Sequence, residues 1–402
     1  MGFRRVNRDI RRRRLDFAAN NLRAKSLINL ERWIGDPTER WPRLRQAFQT
    51  AVAACLAYLA TELLQMPQGF WAVLTAILVT QANVGASLGV AFDRLLGSLL
   101  GVVVGGSVAV LISHDQQFKY PALALTVAAL AYFSARRAPL RIACVTAAIV
   151  ILGDPRFGPA LSSAGYRMVE VLIGTVISLL TTLMLFPSRA GPAFADQVTR
   201  TLPLLFGLLG DALTWALGGK YDEAAVRRSG EKIRTAFAAG EALAREAKLE
   251  IAGHLADHAD TDAVVRTMRR LWHTEIMLLR AVTSPLPAAV IDRLRPHLEG
   301  LRDAVAALPQ GYAESCRGGG PPDLMAVESA LSVLEQGLTQ MREKGELRSL
   351  PMDDVIRLLA FDFALGQLRG NLQDLAGRSE DLAGFTGAAI PWIRRLRVLV
   401  RP

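Results

Sequence analysis

Residues 93–113 read DRLLGSLLGVVVGGSVAVLIS, and after Arg94 nineteen consecutive residues carry no charge. At about 1.5 Å of rise per helical residue, such a run is close to the thickness of a bilayer's hydrocarbon core. Gly97, Gly101 and Gly105 recur at every fourth position. Glycines at that spacing share one helix face and let a second helix approach closely, which is how helices associate where lipid removes the hydrophobic drive. The stretch reads as a tightly packed membrane span with a cation at its mouth.

Working outward, 51% of the 402 residues are hydrophobic, and they concentrate between positions 46 and 187. Residues 1–45 hold twelve Arg and one Lys against five acids, Asp9, Asp16, Glu31, Asp36 and Glu39, and so carry eight of the ten excess positive charges. Next to a span, such an arm reads as a cytoplasmic flank held by anionic lipid, not as a nucleic-acid binder. The first apolar run starts near Gln46, too far along for a secretory signal, and the acids argue against a mitochondrial leader. Cys55 and Cys144 fall in apolar segments and Cys316 in a polar stretch, so no disulfide framework is expected.

Six spans follow, at 46–65, 69–84, 87–112, 120–135, 139–153 and 166–186. The basic arm, Arg136, Arg137, Arg141 and everything after Pro187 lie on one side. Lys119, Arg156 and Arg167 lie toward the other. Positive charge favours the cytoplasm, which places both termini inside.

The spans also repeat. AVLTAILV at 72–79 parallels ACVTAAIV at 143–150, matching Ala72 with Ala143, Thr75 with Thr146, Ala76 with Ala147 and Val79 with Val150. Further on, Arg94, Gly97, Gly101 and Gly105 parallel Arg167, Glu170, Gly174 and Ser178. Three spans per copy is an odd number, so the second copy enters from the opposite membrane face, an inverted repeat of the kind transporters use. The middle span of each copy, 70–81 and 142–153, has about twelve strongly apolar residues, fewer than the twenty or so needed to cross. Either these are broken helices lining a site, or they are tilted helices whose ends run into polar flanks.

The run FWAVLTAILVTQANVGASLGVAFDRLLGSLLGVVVGG at 70–106 resembles the signature of the fusaric-acid-resistance family, which includes aromatic acid exporters and is distantly similar to aluminium-activated malate channels. Trp71, Thr75, Gln81, Gly85, Arg94, Gly97, Gly101 and Gly105 carry the resemblance, which spreads over 45–187. It implies an all-α integral membrane protein: six spans in the inner membrane, then a cytosolic helical domain, exporting small organic acids or toxic aromatics. Many such exporters have two membrane units. The one unit here makes a homodimer the expected assembly, with a periplasmic adaptor left open.

The chain thus divides into a basic arm at 1–45, a six-helix membrane domain at 46–187 and a cytosolic α-helical domain at 188–402. In the last, Leu202, Leu205, Leu208 and Leu209, and again Leu331, Leu334 and Leu338, recur at helical spacing with charges opposite. Breaks are expected at Gly218–Gly219, 284–287, 309–322 and Leu350–Pro351. Glu250, His254 and His258 are spaced four apart, as metal ligands on a helix would be; a solvated charged face is the plainer reading, so no metal is assigned. The C-terminal IPWIRRLRVLVRP either lies on the membrane or docks on the bundle.

No nucleophile motif, paired-cysteine motif or phosphate loop is present, so the chain reads as a non-enzyme without a cofactor, and uphill transport would draw on an ion gradient. The candidate substrate contacts are Arg94 and Arg167, with Trp71, Thr75, Gln81 and Thr146 on the short segments. A guanidinium at a helix mouth binds a carboxylate bidentately, and inversion is expected to set the two arginines toward opposite membrane faces. Glu170 and Glu62 are the acids within the apolar segments and the candidate proton carriers. Gly97, Gly101, Gly105 and Gly174 are the helix-packing residues, and the first three are also the expected dimer face. The leading reading is a proton-coupled exporter of small aromatic or other organic acids. A passive organic-anion channel and a membrane scaffold with a cytosolic interaction domain are the alternatives.

Overall fold

The computed structural model describes residues 37–112, 116–135, 137–153, 160–252 and 260–387. They form twelve α-helices and, among the described residues, no strand. The basic arm up to residue 36, His254, His258, and the C-terminal IPWIRRLRVLVRP lie outside them. Two compact units emerge: one comprises residues up to 82 and 90–188, the other residues 83–89 and from 189 onward.

The first unit contains α1 (Pro37–Leu63), α2 (Phe70–Val79), most of α3 (Val84–Leu111), α4 (Lys119–Ser134), α5 (Ala138–Leu152) and α6 (Ala160–Met184). Each predicted span coincides with a helix. Two described stretches, Val84–Leu111 and Ala164–Met184, are long and apolar enough to cross a membrane, while α2 and Pro139–Leu152 are apolar but shorter.

At ten and fifteen residues, α2 and α5 are short helices. α2 does not run on into its polar flank, because Thr80 returns its hydroxyl to the Ala76 carbonyl at 2.8 Å and pairs with Ser178 at 2.9 Å. Three residues later, Asn83 accepts from the Ala86 N–H at 2.7 Å and starts the next helix, as an N-terminal cap does.

The burial pattern of this unit is inverted relative to a water-soluble core. Small and hydroxyl residues are inside: Ala53, Ala57, Ala72, Ala76, Thr75, Thr146, Ser98 and Ser178 are all buried. Large apolar side chains are outside, including Phe92, Val103, Val110, Leu125 and Leu172. That arrangement is stable where the surrounding medium is apolar and close backbone packing holds helices together.

The two sequence copies pack reciprocally. A Cβ on Gly101 of the first copy would stand 2.6 Å from Thr146 Cβ and 2.7 Å from the Ala143 carbonyl oxygen of the second. A Cβ on Gly174 of the second would stand 2.9 Å from Thr75 Cβ and 2.3 Å from the Ala72 carbonyl oxygen of the first. Each short helix is therefore clasped by the third helix of the other copy, and the partners are the matched positions. Gly97 and Gly105 continue the seam, against Pro139 and Ile142 and against Ala147. The Gly97/Gly101/Gly105 face is thus filled by α5 of the same chain. The expected dimer contact through it is corrected: the face has no room for a second copy.

The second unit comprises α7 (Ala190–Ala216), α8 (Glu223–Ala252), α9 (Thr261–Ala281), α10 (Ala288–Ser315), α11 (Met325–Glu343) and α12 (Met352–Gly387), with residues 83–89. Helix α7 supplies Leu202, Leu205, Leu209 and Leu213 to a common core with Leu278, Leu298, Leu331, Leu334, Phe361 and Leu368. The expected break at 309–322 begins later, because α10 continues through Pro309 to Ser315. Tyr312 is buried there, stacked on Phe206 and donating its hydroxyl to the Leu372 carbonyl at 2.7 Å. Cys316 is likewise in the core, not in a polar loop.

Two buried acids stand out. Glu250 is not on a solvated face: it is 1% exposed and accepts from the N–H groups of Gly85 and Ala190, each at 2.9 Å. Those groups open α3 and α7, so one carboxylate meets the positive ends of two helix dipoles. Burial raises its carboxyl, and those N–H groups and Arg189 pull it back down.

Glu275 has no such help. It is fully buried, both carboxylate oxygens lack a hydrogen-bond partner, and burial holds its carboxyl well above the usual range. The folded chain keeps the group neutral, whereas the unfolded chain ionises it near the ordinary glutamate value. Its relative contribution to stability is therefore complete at acid pH and is lost as pH rises toward the folded pKa. Glu275→Gln in the full chain should raise the bundle's melting temperature by several degrees at pH 8 and little at pH 4.5. Equal melting of the two proteins at pH 8 would show that the carboxylate is not a burden.

Candidate functional site

Helix α2 is the floor of the site. Trp71 and Thr75 are one turn apart on it, and the two repeat-related arginines both come to this face. The Arg167 guanidinium carbon lies 3.3 Å from the Trp71 ring centroid, a stacked cation–π contact. Arg94 donates through Nη2 toward Thr75 Oγ1 at 3.4 Å. Arg167 is 4% exposed, and its Nε and Nη1 have no hydrogen-bond partner; Arg94 Nε is in the same condition. The two guanidiniums meet α2 one turn apart, at Thr75 and Trp71, and Glu170 lies one turn from Arg167 along α6. The expectation that inversion holds them at opposite membrane faces is corrected. Packing of α6 on α2 of the other copy brings Arg167 to Trp71, while Arg94 turns back to Thr75 of its own copy.

Glu170 is fully buried and accepts from the Gln68 N–H at 3.0 Å, while its second oxygen has no partner. Gln68 also accepts from Trp71 Nε1 at 3.1 Å, fixing the indole under the guanidinium. Sequence reading missed Gln68. The signal was its place just before α2, where orphan helix N–H groups gather.

The remaining candidates lie elsewhere. Glu62 is exposed at the end of α1 and accepts from Tyr58 at 3.0 Å, apart from the arginines. Gln81 donates to the Leu78 carbonyl beyond the end of α2. Thr146 is buried in the Gly101 seam. Among the described residues no group of His, Cys, Asp and Glu could hold a metal.

Chemically, the cluster of Arg94, Arg167, Thr75, Trp71, Gln68 and Glu170 offers buried N–H donors beside an aromatic face, with two cations against one carboxylate. Buried guanidinium N–H groups with no acceptor are costly. An anionic ligand with an aromatic or apolar body satisfies both halves of such a site.

An outward apolar surface over a small-residue core, with the buried charges of α3 and α6 gathered against one short uncharged helix, is the pattern of a helical membrane protein. Residues 56–181, the segment that holds this site, match the family model described as fusaric acid resistance protein-like. The chain is 23% identical to the inner membrane protein YccS of Escherichia coli (strain K12) over 334 residues, 81% of this chain and 44% of that one. It is 25% identical to an uncharacterized protein of Haemophilus influenzae over 146 residues, 36% of this chain and 20% of that one. The chain thus spans less than half the length of these curated relatives.

Proposed function

We propose that this protein is a multi-pass inner-membrane transporter that exports small aromatic or other organic acids against their gradient at the expense of protons. The observation that carries this reading is the Arg167 guanidinium, buried on the Trp71 ring with two N–H groups unmet. A carboxylate can accept from either of those unmet nitrogens, Nε or Nη1, and an aromatic body fits beside the indole. Glu170 is the proton carrier: one turn from Arg167, its free oxygen takes a proton when the anion leaves.

The reciprocal seams of Gly101 and Gly174 support six crossings arranged as an inverted repeat. On this reading both termini are cytoplasmic, and reporter fusions after Pro187 should behave as cytosolic. Periplasmic activity there would overturn the orientation. On this reading the transporter works as a homodimer, and a periplasmic adaptor would carry exported solute onward.

One observation favours a passive anion channel as the second reading. One Glu170 oxygen already accepts from the Gln68 N–H at 3.0 Å, which ties the carboxylate to the start of α2 as a structural bond. Flux of phthalate, an aromatic dicarboxylate that lipid excludes, into proteoliposomes with and without a pH gradient decides between the two. Uphill accumulation that Glu170→Gln abolishes, with downhill exchange retained, is the expected result. Flux indifferent to both the gradient and the substitution would establish the channel, and an absence of flux would leave the chain to a scaffold role.

A further inference from the structure

Helix α12 carries a face that the other described residues leave open. Met352, Ile356, Leu359 and Phe363 are exposed at 72%, 57%, 47% and 61%, and they follow one another at spacings of four, three and four. The same alternation continues through Gly366, Gly370, Gln373 and Gly377, all exposed. A Cβ added at Gly366, Gly370 or Gly377 would meet nothing within 4 Å. No contact among the described residues therefore calls for these glycines. Each glycine in a helix interior costs roughly 1 kcal/mol relative to alanine, so three on one open face point to something that lies against them.

A repeat of three and four is the pattern by which one helix meets another like itself. The order along this face, bulky at the start and bare at the end, selects the direction. When two copies of α12 are set antiparallel about a two-fold axis between residues 364 and 365, Phe363 falls opposite Gly366 of the second copy. Leu359 then falls opposite Gly370, Met352 opposite Gly377, and Ile356 opposite Gln373. Each large side chain but one meets a glycine, and the bare backbone allows close approach. A parallel pairing sets bulk against bulk and leaves the glycines facing a gap.

The flanks agree. Asp362 and Arg369 border the same side of the stripe, and the antiparallel pairing places each near its opposite in the second copy, although Arg369 already pairs with Glu335 within the chain at 2.9 Å. Asp353 comes near Asp374, whose charge Arg270 already balances within the chain. A lipid surface is a poorer occupant, because an interfacial helix carries basic flanks, and Asp353, Asp362 and Asp374 border this stripe. We propose that two copies of this chain associate through antiparallel α12 helices, with Phe363 and Leu359 seated on Gly366 and Gly370 of the second copy. This inference is independent of the transport reading, and it supplies the dimer contact that the Gly97/Gly101/Gly105 face does not.

The test is the mass of the full-length protein in mild detergent across a dilution series. The wild-type chain should be dimeric. Phe363→Glu and Gly370→Leu should each weaken dimerisation by about thirtyfold, the loss expected for an anchor at an interface centre. Both positions are exposed, so the Phe363→Glu monomer should keep its helical content and melting, and Gly370→Leu should keep or slightly raise them. Direction is read by disulfide trapping after Cys55, Cys144 and Cys316 are replaced. Leu359→Cys combined with Gly370→Cys should cross-link two chains, and Leu359→Cys alone should not. A monomeric wild type, a dimer indifferent to both substitutions, or cross-linking by the single cysteine would each overturn the proposal.

Discussion

Exchanging Arg167 for glutamine is expected to lower phthalate flux by roughly a hundredfold, the scale of removing one partner from a buried charged site. The change removes the cation stacked at 3.3 Å on Trp71 and leaves Glu170 without its attraction. Arg167→Lys keeps the charge but loses the planar fork and the ring stacking, so it should restore a fraction of the flux. Trp71→Ala should fall between the two and Trp71→Phe near wild type, because the ring matters as a face. Each variant must first run in size-exclusion chromatography as wild type does. Full flux from a well-folded Arg167→Gln protein would show the guanidinium to be a structural anchor and remove the site from the transport path.

The second large effect concerns the glycine seams. Gly101→Ala and Gly174→Ala should each cost several degrees of melting temperature, and the leucine variants should fail to accumulate as folded protein. The reason is what a side chain would meet: the Ala143 carbonyl oxygen at 2.7 Å and the Ala72 carbonyl oxygen at 2.3 Å, backbone atoms that cannot turn aside. Gly106 and Gly165 are the matched controls on the same two helices. A Cβ there meets nothing within 4 Å, so alanine should be neutral or slightly stabilising. Tolerance of alanine at Gly101 and Gly174 alike would mean that the reciprocal packing does not hold the unit together.

The two seams also indicate why the two copies differ chemically while sharing a backbone plan. Trp71 of the first copy matches Ile142 of the second, and Gly97 of the first matches Glu170 of the second. The indole floor is therefore in the first copy and the buried carboxylate in the second. The charged cluster forms on the α2 side alone, where Arg167 finds a ring to stack on. Around α5 the equivalent positions are apolar and small, and the seam there is packing without chemistry.

Much of the helical plan is legible in the amino-acid sequence alone. The uncharged run after Arg94 marks a helix for an apolar medium, because chain length and bilayer thickness are compared directly. The pairing of Thr75 with Thr146 and of Gly101 with Gly174 is readable as a repeat. The leucine spacing at 202–209 and 331–338 marks bundle helices whose apolar faces are indeed inside. These are all one-dimensional properties: length, period and self-similarity along the chain.

What only the tertiary structure decided is which helix lies next to which. Spacing places Gly97, Gly101 and Gly105 on one face, but α5, not a second chain, fills it. Repeat symmetry relates Arg94 to Arg167, yet both reach the same short helix, Arg167 from the other copy and Arg94 from its own. By spacing, Glu250 is one charge among others four residues apart. It is buried because the starts of α3 and α7 converge on it from positions 165 and 60 residues away in sequence. Local pattern fixes which side of a helix is apolar, small or charged. The partner on that side is chosen by long-range packing, which no spacing within one segment records.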